Sequence, residues 1–305
     1  MAAFILRRLL SSILVLFFAA SITFLLSVSQ KGGPFEKEKL SEAAKLEKLR
    51  QHELDGPKWW QLVRYQKRLL QGDLNVSLRY KDRTVAEILA QKLPNSIILG
   101  SIAFLIASIG GVTAGFIAAM RKDTWIDVSA MFCALAAISV PTFITGPVLV
   151  ALLGLWLGWL PIGGFGTWQH LVMPSVCLAL PFMAYVARLM RNSLLEVMGQ
   201  HHMRTARAKG LDEVTTLMRH GMKMAILPVV TYLGPMAAYV LTGSFVVESV
   251  FNISGVGGVF VNAIQNADCF LLTGAVLVYA GLIVFFNFIV DVLYTFLDKR
   301  IQLHA

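Results

Sequence analysis

Six stretches of this chain are apolar for about 20 residues or longer, and no other feature limits the fold as tightly. A hydrocarbon core about 30 Å thick needs roughly 20 apolar residues in helical form to cross it. The segments are Leu9–Val28, Ser96–Met120, Val128–Leu160, Val172–Met190, Ile226–Val250 and Leu271–Leu297. Lipid offers no partner to backbone N–H and C=O groups, so the spanning elements must be helices. The third segment is too long for one straight span and holds Pro141 and Pro147. That predicts a kinked helix followed by an interfacial or re-entrant piece. Composition agrees: 56% of residues are hydrophobic and 15% charged, against about 45–50% and 25% in soluble domains. Disorder, a collagen-like chain and an ordinary water-soluble enzyme are excluded.

The first segment follows Arg7-Arg8 and contains a weak cleavage-like Ala19-x-Ser21. A signal peptide is the alternative, but its apolar region is usually about 7–15 residues long. The longer run here reads as an anchor with the arginines on the cytoplasmic side.

Charge sets the orientation. The polar stretches at the amino end, after segments 2 and 4, and at the carboxyl end hold 13 Lys and Arg, among them Arg121, Lys122, Arg188, Arg191, Lys299 and Arg300. The short loops after segments 3 and 5 hold none. This is a positive-inside pattern, with both termini cytoplasmic. The stretch from Lys31 to Leu93 carries the other 14 basic residues and nine acidic ones yet falls outside. Long loops cross largely regardless of charge, so the short loops decide. The net charge of +9 is therefore a membrane signature and not one of nucleic-acid binding.

The outer stretch predicts small helices. Residues 34–54 are rich in Lys and Glu, and Trp59, Leu62, Val63, Gln66 and Leu69 recur near helical spacing. Thr84–Leu93 forms another amphipathic turn or two, and Pro94 leads into segment 2. Such a region serves either as a cap for an outside partner or as a surface-lying linker with interfacial tryptophans.

Much chemistry is missing. There is no G-x-x-x-x-G-K-[ST], H-E-x-x-H or G-x-S-x-G, so the chain has no ATPase site of its own. Three cysteines cannot staple 305 residues. His201 and His202 are adjacent and point about 100° apart on a helix, a poor ligand pair. Gly255-x-Gly257-Gly258 is too short for a nucleotide fingerprint and reads as a flexible outer turn. Among charges in or near spans, Asn287 and Asp291 share one face of segment 6. They suit helix packing or a polar path. Glu248 stands at the outer end of segment 5, an interfacial position.

The loop from Arg191 to Lys223 is the largest cytoplasmic element. Met203–Lys209 reads as a short basic helix closed by Gly210. It can bind anionic lipid or dock into a groove of a soluble protein.

Arg204-Thr205-Ala206-Arg207-Ala208-Lys209-Gly210-Leu211, then Arg219-His220 and Ile226-Leu227-Pro228, resembles the coupling loop of ATP-binding-cassette importer permeases. It is closest to the variant in the dipeptide, oligopeptide and nickel group. Arg204 and Thr205 stand where the general pattern has Glu and Ala, and Gly210 is further from Leu227-Pro228. The resemblance covers the whole chain: Gln71-Gly72-Asp73-Leu74 and Thr84-Val85 outside, Trp159-Leu160-Pro161, Gly243-Ser244 with Val247-Glu248, and Asp291-Val292-Leu293-Tyr294. Lys31-Gly32-Gly33-Pro34-Phe35 and Tyr80-Lys81-Asp82 make it most like the B subunits of the oligopeptide branch.

The resemblance implies an all-α integral membrane protein with six transmembrane helices in the type I importer permease fold. Residues 1–94 would form the first span and a helical external segment. Residues 95–297 would form a five-helix core with a coupling loop at 191–225, and 298–305 a cytoplasmic tail. The chain would be one permease of a heterodimer in a bacterial inner membrane, served by two cytoplasmic ATPases that bind ATP and Mg, and by an external peptide-binding protein. Arg204 to Leu211 would form the ATPase-coupling helix. Within the group, dipeptide, antimicrobial-peptide and nickel permeases are alternatives. Nickel would want His and carboxylate in the path, and all six histidines lie outside the spans. A self-contained channel or membrane enzyme would need polar rings or a nucleophile–base pair, for which only Asn287 and Asp291 offer material.

Overall fold

The computed structural model describes residues 2–30, 34–35, 41–80, 82–241 and 243–297. Every element in it is a helix apart from one isolated bridge between Val76 and Thr84. Four helices are long and apolar enough to cross a membrane, and two bent pairs bring the total to as many as six. The expected all-helical, multi-span architecture is what the chain adopts. The predicted tail 298–305 and Lys31-Gly32-Gly33 lie outside the described residues. The described residues form two compact units: those up to Ser96 with Ser254–Val284, and Ile97–Ile253 with 285–297.

In the first unit, α1 (Ala2–Val28), α2 (Glu42–Gln51), α3 (Lys58–Leu70), the start of α4 (Val85–Met120), α13 (Val256–Gln265) and the start of α14 (Cys269–Leu297) share a core. The elements α5 to α12 between them are given below. Ser41 caps α2 by accepting from the Ala44 N–H, and Lys48 and Arg50 sit at its negative end. Thr84 and Glu87 form a capping box on α4: each side chain accepts the other's backbone N–H, at 3.2 and 3.0 Å.

Three expectations are corrected here. Pro94 does not interrupt the chain: α4 runs 36 residues straight through it. Val85, Ile88 and Leu89 are buried in the core, and this burial holds the turns before the proline helical despite the lost hydrogen bond. Gly257 and Gly258 are not a flexible turn but the first turn of α13, whose Val256 N–H donates to Ser96 Oγ at 2.9 Å. The buried face of α3 is only partly the predicted one: Leu62, Gln66 and Leu69 do pack against the core. Gln61, Tyr65 and Gln66 face inward while Trp59, Trp60 and Val63 are exposed. Tyr65 stacks on Phe24 at 4.6 Å and Gln66 Nε2 donates to Ser21 Oγ at 2.8 Å, so α1 offers α3 a polar and aromatic seat.

The second unit contains α5 (Trp125–Ser139), α6 (Thr142–Leu149), α7 (Trp168–Met198), α8 (His201–Ala208), α9 (Glu213–Thr216), α10 (Met222–Ala225), α11 (Leu227–Leu241) and α12 (Phe245–Val250). The third apolar segment breaks before Pro141, and α5 meets α6, with its π-helical extension to Trp156, at 106°. Pro141 has no N–H for the ladder and disfavours a helical residue before it. By contrast α7 passes through Pro174 and Pro181 unbroken, with much of its length buried. Glycines set the closest approaches: a Cβ at Gly115 of α4 would meet the Ala187 carbonyl of α7, and one at Gly100 the Val240 carbonyl of α11. Small residues that admit a neighbouring backbone are how helices pack where lipid supplies no hydrophobic drive.

The fifth segment is also corrected. It does not run to Val250 as one helix; α11 ends at Leu241, and Gly243 takes a left-handed backbone (φ 88) before α12 begins. Glycine is the residue that accepts that conformation at little cost.

Candidate functional site

The sequence singles out the stretch 204–211, and the structure gives it a defined shape. The helix α8 starts at His201, two residues earlier than Met203, because α7 continues to Met198 and only Gly199 and Gln200 separate the two. Its end is a Schellman motif. Gly210 has φ +83, its N–H donates to Arg207 O at 2.9 Å, and the Leu211 N–H donates to Ala206 O at 3.4 Å. Thr205 Oγ1 donates back to His201 O.

One face of α8 is buried and the other is presented. Met203 and Ala206 are buried, whereas Arg204, Thr205, Ala208 and Lys209 are exposed and Arg207 half-buried. Met203 joins Leu194 of α7 and Leu217 of the turn after α9 in one cluster, and all three side chains converge on Gly221. A side chain at Gly221 would have to push them apart. The helix is thus seated on the end of α7 with its basic face outward. Asp212 follows, and hydrogen bonds from Thr215, first from its side chain and then its N–H, hold its carboxyl below the usual carboxylate range.

Sequence reasoning missed the strongest polar contact near this site. Asp127, in the first turn of α5, is a buried carboxylate held by Arg191 of α7. Arg191 Nε donates to Oδ1 at 2.5 Å and Nη2 to Oδ2 at 2.6 Å. The Asp123 N–H adds a third hydrogen bond at 3.1 Å. The sequence started the third segment at Val128 and left Asp127 just outside it, and the pair is 64 positions apart. An acidic residue at the very start of an apolar run was the available signal.

The other polar candidates fare differently. Glu248, on α12, is 1% exposed, so its carboxylate is enclosed by protein. Asn287 and Asp291 are both half-buried on α14. Among the described residues no group of three His, Cys, Asp or Glu side chains is arranged to hold a metal ion.

Each unit has a sizeable hollow among the described residues. In the first, a cavity of about 620 Å³ is bordered by Lys48, His52, Arg68, Arg79 and Asp82. Burial lowers the His52 pKa, Asp268 nearby opposes that, and Lys48 adds to it. In the second, a groove of about 490 Å³ is lined by Phe104, Leu233, Gly234, Ala237 and Phe286, with Ser101 its polar member.

Comparison with known proteins identifies relatives along the full chain. Residues 111–303 match the family described as binding-protein-dependent transport system inner membrane component. The oligopeptide transport system permease protein OppB of Haemophilus influenzae is 37% identical, over 99% of this chain and 100% of that protein. OppB of Salmonella typhimurium is 38% identical over the same shares. The dipeptide transport system permease protein DppB of Bacillus subtilis is 34% identical over 100% of this chain and 99% of its own. The MetNI methionine ABC transporter in an inward-facing conformation shares the fold, with TM-score 0.60 at 14% identity over 70% of this chain and 97% of that one.

Proposed function

This chain belongs to the family of binding-protein-dependent transport system inner membrane components, and we propose that it is a permease subunit of an ATP-driven oligopeptide importer. The observation that carries the reading is its full-length identity to oligopeptide permeases together with a capped, basic helix held outward on the end of α7. It works as one half of a heterodimeric pathway with a second, related permease. Two cytoplasmic ATPases bind ATP and Mg and drive it, and an external peptide-binding protein delivers the substrate. The basic loops favour both termini on the cytoplasmic side of the inner membrane.

In this reading Arg204 to Leu211 form the ATPase-coupling helix. The exposed Arg204, Thr205 and Lys209 enter a cleft of the ATPase, while Met203 and Ala206 anchor the helix to its own subunit. Closure of the ATPases on ATP favours one arrangement of the spans, and release favours the other. Peptides present backbone amides and two charged ends, and an apolar groove of small and aromatic residues tolerates varied side chains. Selectivity then resides in the binding protein. The exposed Trp59, Trp60 and Val63 of the external segment and the α13 region are the surfaces offered to it. Asn287 and Asp291 act in helix packing.

The test is purification of the tagged chain from its host in mild detergent, with mass spectrometry of what accompanies it. Complexes of two permeases with ATPases support the reading. A chain that comes out alone, folded and active overturns it in favour of a self-contained channel.

A further inference from the structure

We infer that Asp127 and Arg191 are positioning residues for transport: their ion pair passes displacement of α8 to the start of α5 and so to the bent α5–α6 pair. The inference rests on α8 being the helix that the ATPases hold. Three observations within the second unit carry it.

The first is the path. Two residues separate α8 from α7, and Met203, Leu194 and Leu217 lock the helix to the end of α7. Arg191 lies one turn before Leu194, so its guanidinium stands on the helix against which Met203 of α8 is packed. The second is the geometry of the joint. Both carboxylate oxygens of Asp127 are gripped by the two donors of one guanidinium, and the Asp127 side chain is 3% exposed. A bidentate fork fixes orientation as well as distance. An apolar contact of the same size would let the two helices slide. A buried pair is also a poor choice for stability alone, because desolvation offsets much of its attraction. The third is what lies beyond the joint. The Asp123 N–H that shares the carboxylate belongs to the turn between α4 and α5, and Asp123 itself has a left-handed backbone (φ 60). At its far end α5 bends into α6, whose Gly146 packs closely on Val250 of α12. The buried carboxylate therefore joins the helix that carries α8 to the one that leads into the bend.

The experiment uses the complete importer in proteoliposomes and reads peptide uptake per ATP hydrolysed, which a merely structural role leaves unchanged. For Asp127→Asn, nearly isosteric, and Arg191→Lys, which keeps the charge but loses the fork, the ratio falls about tenfold, within the range of ordinary coupling energies, while hydrolysis per assembled complex persists. If complex yield and uptake fall together at a constant ratio, the pair is a structural staple and the inference is overturned. Should the single variants fail to assemble, Asp127→Leu with Arg191→Met restores packing without the fork. That double variant is expected to assemble with the low ratio, and a wild-type ratio from it refutes the positioning role. A wild-type chain that never recruits ATPases overturns the parent reading instead, and is recognised before any variant is made.

Discussion

The Ser77 hydroxyl donates to Asp268 Oδ2 at 2.5 Å across 191 positions of sequence. The same fully buried carboxylate accepts the Leu78 N–H at 3.0 Å and, through Oδ1, the Leu271 N–H at 3.0 Å as the cap of α14. One side chain thus closes the loop before α4 onto a helix start. Asp268→Ala removes the acceptor of two buried donors and one half-buried donor, and leaving a buried donor unsatisfied costs about 1–3 kcal/mol. A loss of about 3 kcal/mol is expected, seen as a lower Tm in detergent and faster tryptic cleavage around Arg79 and Arg83. An unchanged digestion pattern would contradict this role.

Charge reversal at Arg204 and Arg207 is expected to leave membrane insertion normal. Surface substitutions of this kind usually stay within about 0.5 kcal/mol of stability. Binding of the ATPases and peptide uptake should nevertheless drop about tenfold or more, a difference of at least about 1.4 kcal/mol. Uptake at the wild-type rate would remove α8 from the coupling role.

Gly115→Val places side-chain atoms where the Ala187 carbonyl already sits, with Met190 Cβ beside it. Backbone cannot give way as a flexible side chain can, so a loss of about 3 kcal/mol is expected. Expression level and size-exclusion profile report it. Gly258→Ala, with open space around its added methyl group, is the control that should be silent.

His52 introduces a pH dependence into the first unit. Its folded pKa lies below the ordinary 6.5 because burial disfavours the imidazolium; Asp268 pulls it back up and Lys48 pushes it further down, with Arg68, Arg79 and Asp82 also on the cavity wall. The unfolded chain therefore binds more protons near pH 6. The stability this residue contributes is full above its unfolded value and is lost as pH falls toward the folded one. His52→Gln should flatten the Tm profile between about pH 5 and pH 7. A parallel profile for the variant would show that another group governs the slope.

Replacing Asp291 by leucine should weaken recovery of the assembled importer without changing which peptides compete for uptake. Normal assembly with an altered competition pattern would move Asp291 from helix packing into the pathway.

The spans could be read from sequence because lipid imposes a simple length rule, and Leu9–Val28 or Leu271–Leu297 satisfy it with no knowledge of neighbours. The short helix α8 was visible because alanines and basic residues precede a glycine, a purely local signal. What escaped was tertiary. Pro94 looked like a boundary, yet the burial of Val85, Ile88 and Leu89 overrules it. Trp59 and Val63 looked like part of an inward face with Gln66, yet α1 receives Tyr65 beside Gln66 and leaves those two exposed. The burial of Glu248 carried no local sequence mark. Asp127 needed Arg191, and nothing local connects residues on different helices.

The contact of Gly111 and Gly115 on α4 with the α7 backbone has one further consequence. Shifting α4 along α7 by a single residue would bring Val112 and Phe116 to the places where only hydrogen atoms now fit. That slip is closed to the pair by backbone contact alone. A rearrangement of the second unit that carries α4 and α7 together avoids the clash.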